Sequence, residues 1–173
     1  KTFAGAVIIN ANASWTNSAN SPITFQNGIS KDVTATFTAG SGIQTFDNGA
    51  QALTGGVFNI PNVNIDAITL TNSNNTTLNT ASSLSGTGTL LQGGANSVLN
   101  IGGTSNIASI DASIAGNEVI YSGANQTVKA LAPGLGYSKL TISQSGGEAS
   151  LENDTEVVTA LSVTARNLNL NGY

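Results

Sequence analysis

Cysteine, methionine and histidine are all missing from this chain. Without cysteine there can be no disulfide and no thiolate-bound metal. Without histidine the commonest general base and the commonest zinc ligand are both gone. Charge is scarce too: 8% of residues are Asp, Glu, Lys or Arg, against about 25% in an average soluble domain. The balance of −4 and pI ≈ 4.4 argue against a nucleic-acid partner, which wants a basic footprint. No apolar run approaches the ~20 residues of a membrane helix. Ala4–Ile9, the longest run near the start, lacks the length and flanks of a signal peptide. Hydrophobic residues still make up 39% of the chain, whereas disorder pairs low hydrophobicity with high net charge.

What is present is Asn, Ser and Thr, roughly a third of the residues, with 20 glycines. No helical apolar stripe lasts longer than one turn, because these residues interrupt every window. Short alternating segments are dense instead. They include Ile23–Phe25, Val33–Thr38, Ile43–Phe46, Val57–Ile60, Val63–Ile65, Ile68–Leu70, Thr76–Leu78, Thr89–Leu91, Val98–Ile101 and Val119–Tyr121. Later ones are Thr127–Val128, Leu140–Ile142, Val157–Val163 and Leu168–Leu170. Asn recurs between them at Asn27, Asn48, Asn74, Asn75, Asn96, Asn106 and Asn125. Asn tolerates the left-handed backbone of a sharp corner, and stacked corner amides can bond from one turn to the next. These features predict an all-β chain folded as a parallel β-solenoid (β-helix) with Asn/Gly corners. The alternative is a β-sandwich with Asn-Gly hairpins.

A faint internal repeat supports the stacked reading. Phe46-Asp47-Asn48-Gly49-Ala50-Gln51 matches Tyr121-Ser122-Gly123-Ala124-Asn125-Gln126 at an offset of 75 (121 − 46). Ile68–Thr71 matches Leu140–Ser143 at 72 (140 − 68), and Leu99–Gly102 matches Leu168–Asn171 at 69 (168 − 99). The copies span roughly residues 44–103 and 117–172 within one solenoid segment, 1–173. The last residues stop inside a repeat, so the expectation is part of a longer repetitive chain or an assembled fibre.

The order of these motifs carries a resemblance. Trp15–Ser18, Ala35–Phe46, Asp47–Gln51 and above all Asn117–Val128 resemble large repetitive bacterial cell-surface adhesins and fibre proteins, similar to filamentous-haemagglutinin-type β-helices. The resemblance implies an extracellular, cell-surface address, a structural or adhesive role, and partners that are surface-fibre subunits or further copies of the chain. The pattern is broken at Ala130–Tyr137, where Pro133 interrupts a short corner, and again in the acidic run after Glu148.

Candidate chemistry is thin. Glu152, Asp154 and Glu156 would share one side of an extended segment and could hold Ca²⁺, although the spacing matches no known calcium loop; a solvated acidic corner is the plainer reading. Trp15 and Tyr137 are candidate glycan platforms, since an aromatic face can stack on a sugar ring. Phe25, Phe37 and Phe46 lie in alternating strands and read as internal stacks. The hydroxyl row Thr34/Thr36/Thr38 reads as an outer β face. No nucleophile elbow, convergent carboxylate pair or phosphate-cradling loop occurs, so the expectation is not an enzyme and no cofactor. A carbohydrate-binding module of a secreted protein is the alternative function, with a polysaccharide-acting β-helix enzyme a third.

Overall fold

The computed structural model describes residues 1–171. They form a parallel β-solenoid of about eight turns, with no helix among them. Each turn visits three sides. The first turn is β1 (Thr2–Phe3), β2 (Val7–Ile9) and β3 (Ser14–Thr16). The second is β4 (Ile23–Phe25), β5 (Ile29–Lys31) and β6 (Thr36–Thr38), and the third β7 (Gln44–Phe46), β8 (Gln51–Thr54) and β9 (Gly56–Asn59). The fourth is β10 (Asn62–Ile65), β11 (Thr69–Asn72) and β12 (Thr76–Thr80). In the fifth, β13 (Ser83–Gln92) runs through sides one and two, followed by β14 (Val98–Ile101). β15 (Thr104–Asp111) and β16 (Glu118–Tyr121) repeat that plan. The end is built from β17 (Gln126–Val128), β18 (Tyr137–Leu151) and β19 (Val157–Asn169).

Every pairing among the described strands is parallel, and the turns differ in length. Thr45↔Asn64 are register partners at the short end of the range, and Ile29↔Leu53 at the long end. Strands alternate between inner and outer side chains, so equivalent inner residues stack from turn to turn. On side one Phe3, Phe25, Phe46 and Ile65 form one ladder. The Phe25 and Phe46 rings stack with centroids 5.3 Å apart, as their alternating positions predict. On side three the ladder runs through Leu78, Leu99, Val119 and Leu140, each essentially buried.

Corners use the residues the backbone demands. Asn12, Asn20, Asn48, Asn75, Asn96 and Asn125 all adopt positive φ, a region Asn enters at lower cost than other side chains. Corner amides also stack: Asn96 Nδ2 donates to Asn75 Oδ1 at 3.3 Å. Asn106 is different from its expected role, because it lies inside β15 rather than at a corner. Thr36 and Thr38 do face outward, but Thr34 sits in the preceding corner and bonds Asp32.

The stack has a seam between the sixth and seventh turns. Among the described strands, the sheet that carries sides one and two ends at β15, which pairs only with β13. β17 pairs only with β18. On side two, residues 129–136 form a loop where the earlier turns place a strand. The ladder therefore crosses the seam on side three alone, through β14, β16 and β18.

Candidate functional site

The two Gln residues of the internal repeat build the local geometry around which the irregular features collect. Gln51 is buried; its Oε1 accepts from Gly28 N–H at 2.9 Å, and its Nε2 donates to Phe25 O at 2.9 Å and to Asp47 O. Gln126 also clamps two turns together, with different partners: Oε1 accepts from Gly123 N–H of its own corner at 2.7 Å, and Nε2 donates one turn below to Ile101 O at 2.8 Å and Gly103 O at 2.7 Å. Phe25 lies directly under Phe46, and Ile101 directly under Tyr121. In both copies a buried aromatic leads into a corner, and a Gln then clamps the backbone one turn below. The Gln126 corner also needs a bare backbone: a Cβ on Gly123 would lie 2.2 Å from Gly102 O.

The Gln126 clamp stands at the seam. Beside it is a groove of about 300 Å³ lined by Ser82, Gly103–Asn106 and Ala124–Thr127. Its walls are hydroxyls, amides, a glycine and an alanine, with no charged and no large apolar side chain. Ser105 faces inward in register with Leu84, its Oγ buried without a hydrogen-bond partner among the described residues. Leading up to the groove is an outward column on side one, Thr2, Thr24, Thr45, Asn64, Ser85 and Asn106, in continuous register. Thr127, Ser150 and Asn169 continue it beyond.

A second cleft, about 690 Å³, opens on side two between the 130–135 loop and the 153–156 corner. Leu131, Pro133, Leu135, Leu151 and Leu170 give it apolar walls, and Asp154 and Glu156 line it as well. The loop is anchored from inside. Tyr137 Oη donates to Lys129 O at 2.5 Å, Lys129 N–H donates to Tyr121 Oη at 2.9 Å, and the two phenols are 3.4 Å apart. Burial pushes both phenols up, Tyr137 well above its ordinary value.

Tyr137 and the acidic trio are placed otherwise than the sequence suggests. Tyr137 is fully buried, so it anchors the loop instead of offering a sugar platform. Trp15 packs edge-on against Phe3 at 5.0 Å and stacks on Phe37 at 6.0 Å, which places its ring in the aromatic cluster of the first turns. Glu152, Asp154 and Glu156 are not in an extended strand. They occupy the corner between β18 and β19, and no group of three acidic residues is placed to hold a metal among the described residues. Glu152 instead accepts from Ala130 N–H at 2.9 Å and pairs with Lys129 at 3.1 Å. Burial raises its carboxyl, but these two contacts outweigh that and hold it below its usual value.

Neither the groove nor the seam is marked by a catalytic motif, which is why sequence reasoning passes over both. The legible signal is the Gln126 repeat itself, together with the break at Ala130–Tyr137. The groove can form many neutral hydrogen bonds and no ion pair. Comparison with known protein families, curated proteins and solved structures finds no match.

Proposed function

We propose that this solenoid is a structural and adhesive element of a bacterial extracellular surface fibre, without catalytic activity. The observation that carries the reading is the unbroken side-three ladder from β3 to β19, which ties all the turns into one body. Eight stacked turns at ~4.8 Å each give a rod roughly 38 Å long. The outward column of side one is polar and uncharged, as suits a surface exposed along its whole length. The edge of β19 supports self-association, since the ladder residues Leu161 and Val163 are 51% and 46% exposed there. Their register partners one turn below, Leu140 and Ile142, are sealed. An unpaired edge with an open apolar ladder templates further β pairing. Light scattering and negative-stain electron microscopy of the chain test this: end-to-end rods are expected, and a monomer at every concentration overturns it. Replacing Leu161 and Val163 with Lys should abolish the rods.

A second reading, a carbohydrate-binding module, is favoured by one observation, the uncharged hydroxyl and amide column of side one. Binding to a glycan array by the monomeric chain tests it, and silence across neutral and acidic glycans refutes it.

A further inference from the structure

We infer that the groove between β15 and β17 is a binding site for a neutral saccharide. The inference rests on the carbohydrate-binding reading and adds to it a place and a ligand charge. A parallel ladder uses the N–H and C=O groups on both edges of every inner strand. At the seam this fails on side one, because β15 pairs only below and β17 only above. Beside the seam the Gln126 amide donates to Ile101 O and Gly103 O.

The facing edges leave backbone donors and acceptors turned toward the groove, and unpaired polar groups away from water are costly. A ligand dense in hydroxyls can act as donor and acceptor at once, so it satisfies both kinds. The side chains select in the same direction. Ser82, Thr104, Asn106, Asn125 and Thr127 offer hydroxyls and amides, while Ser105 faces inward in register with Leu84. An anionic sugar would bring a charge with no cation to meet it among the described residues, where no Lys or Arg lines the groove. A lipid or aromatic ligand would meet no apolar wall.

Size fits the same class. Small-molecule pockets run from about 300 to 1,000 Å³, so this groove lies at the small end and takes one or two sugar rings. A longer chain would leave it along the Thr/Asn/Ser column of side one. The Gln51 clamp supplies an internal comparison. A groove of about 440 Å³ lies beside it, but there β5 and β8 are paired at Ile29↔Leu53 and Ser30↔Thr54, so the strand edges are already used. That groove is not a site on this argument.

The test is an NMR titration of ¹⁵N-labelled chain with a neutral panel of cello-, chito-, xylo- and maltotetraose, and with tetragalacturonate as the charged comparator. At least one neutral sugar should shift the amides of Gly103–Asn106 and Ala124–Thr127, with tetragalacturonate at least about tenfold weaker. Thr104→Val and Thr127→Val keep side-chain shape at exposed positions; each should weaken binding about fivefold with an unchanged melting temperature. Neutral-sugar binding with shifts elsewhere, or unaffected by both variants, removes this site and leaves the carbohydrate reading standing. Equal or tighter binding of tetragalacturonate overturns the charge assignment. No binding by any of the five overturns the site and the carbohydrate reading together.

Discussion

Replacing Gln51 with leucine would strand one buried backbone donor and take a second hydrogen bond from a buried carbonyl. Gly28 N–H would be left unsatisfied at about 1–3 kcal/mol, whereas Phe25 C=O keeps its bond from Asp47 N–H at 3.2 Å and gives up one hydrogen bond of about 1 kcal/mol. The two together lose about 2–4 kcal/mol. Asp47 O is only partly buried and can turn to water, so it adds little. Leucine in the same buried position recovers about 2 kcal/mol through apolar burial. The net expectation is a destabilisation of about 1 kcal/mol, or about 2–4 °C in melting temperature for a chain of this length. Circular dichroism melts of Gln51→Leu, Gln126→Leu and Gln26→Leu would read it out. Gln26 is half-buried and makes no side-chain hydrogen bond among the described residues, so its variant should melt within about 1–2 °C of the parent. Gln126→Leu should fall by a similar amount, because it likewise strands one buried donor, Gly123 N–H, while Ile101 C=O keeps its bond from Ser122 N–H at 2.9 Å. If either melts at or above the parent, the clamp is not what holds its corner.

Two further outcomes follow from the interior. Leu99→Ala, in the middle of the side-three ladder, should cost about 2–5 kcal/mol by denaturant unfolding, while Val158→Ala at a 66% exposed position should change it by less than about 0.5 kcal/mol; equal effects would contradict the stacked core. Tyr121 and Tyr137 hold their protons above the ordinary phenol value, so the folded chain binds more protons than the unfolded one once the pH exceeds about 10. Stability should be flat below that point and fall above it, and Tyr137→Phe should flatten the fall; phenols that all titrate near pH 10 in the folded chain would contradict it.

Much of the fold was legible from local pattern. Ile23–Phe25 and Val98–Ile101 are strands at the expected bounds, because their apolar alternation and flanking turn residues agree. Asn48, Asn75, Asn96 and Asn125 were readable as corners, since a positive φ is a demand on one residue. β15 was not readable. Ser105, Asn106, Ala108 and Ser109 give it almost no apolar alternation, and it is a strand because β13 lies beneath it and pairs along it. Tyr137 looked like an exposed ring beside a broken corner; the loop that breaks the corner is the very element its hydroxyl holds. Glu152, Asp154 and Glu156 share a side only if the backbone is extended, and the corner that contains them is set by where β18 must end to stack under β19. The groove at the seam could not be seen at all, because it depends on two strand edges, a full turn apart in the chain, failing to pair.

The internal repeat shows where the division lies. Phe46–Gln51 and Tyr121–Gln126 are similar corners, each with a buried aromatic and an amide clamp on the turn below, and the sequence alone determined that they are alike. It also determined the β class, the Asn corners and the poverty of catalytic groups, since each is a property of a few neighbouring residues. The tertiary structure decided their places. Phe46 lies on side one and Tyr121 on side three, so the two copies are three turns and two further sides apart. The physical reason is that a corner is fixed by local backbone geometry, while register accumulates over turns of unequal length, short at Thr45↔Asn64 and long at Ile29↔Leu53. Small differences in corner length add up around the stack, and only the packed ladders settle which side each strand joins.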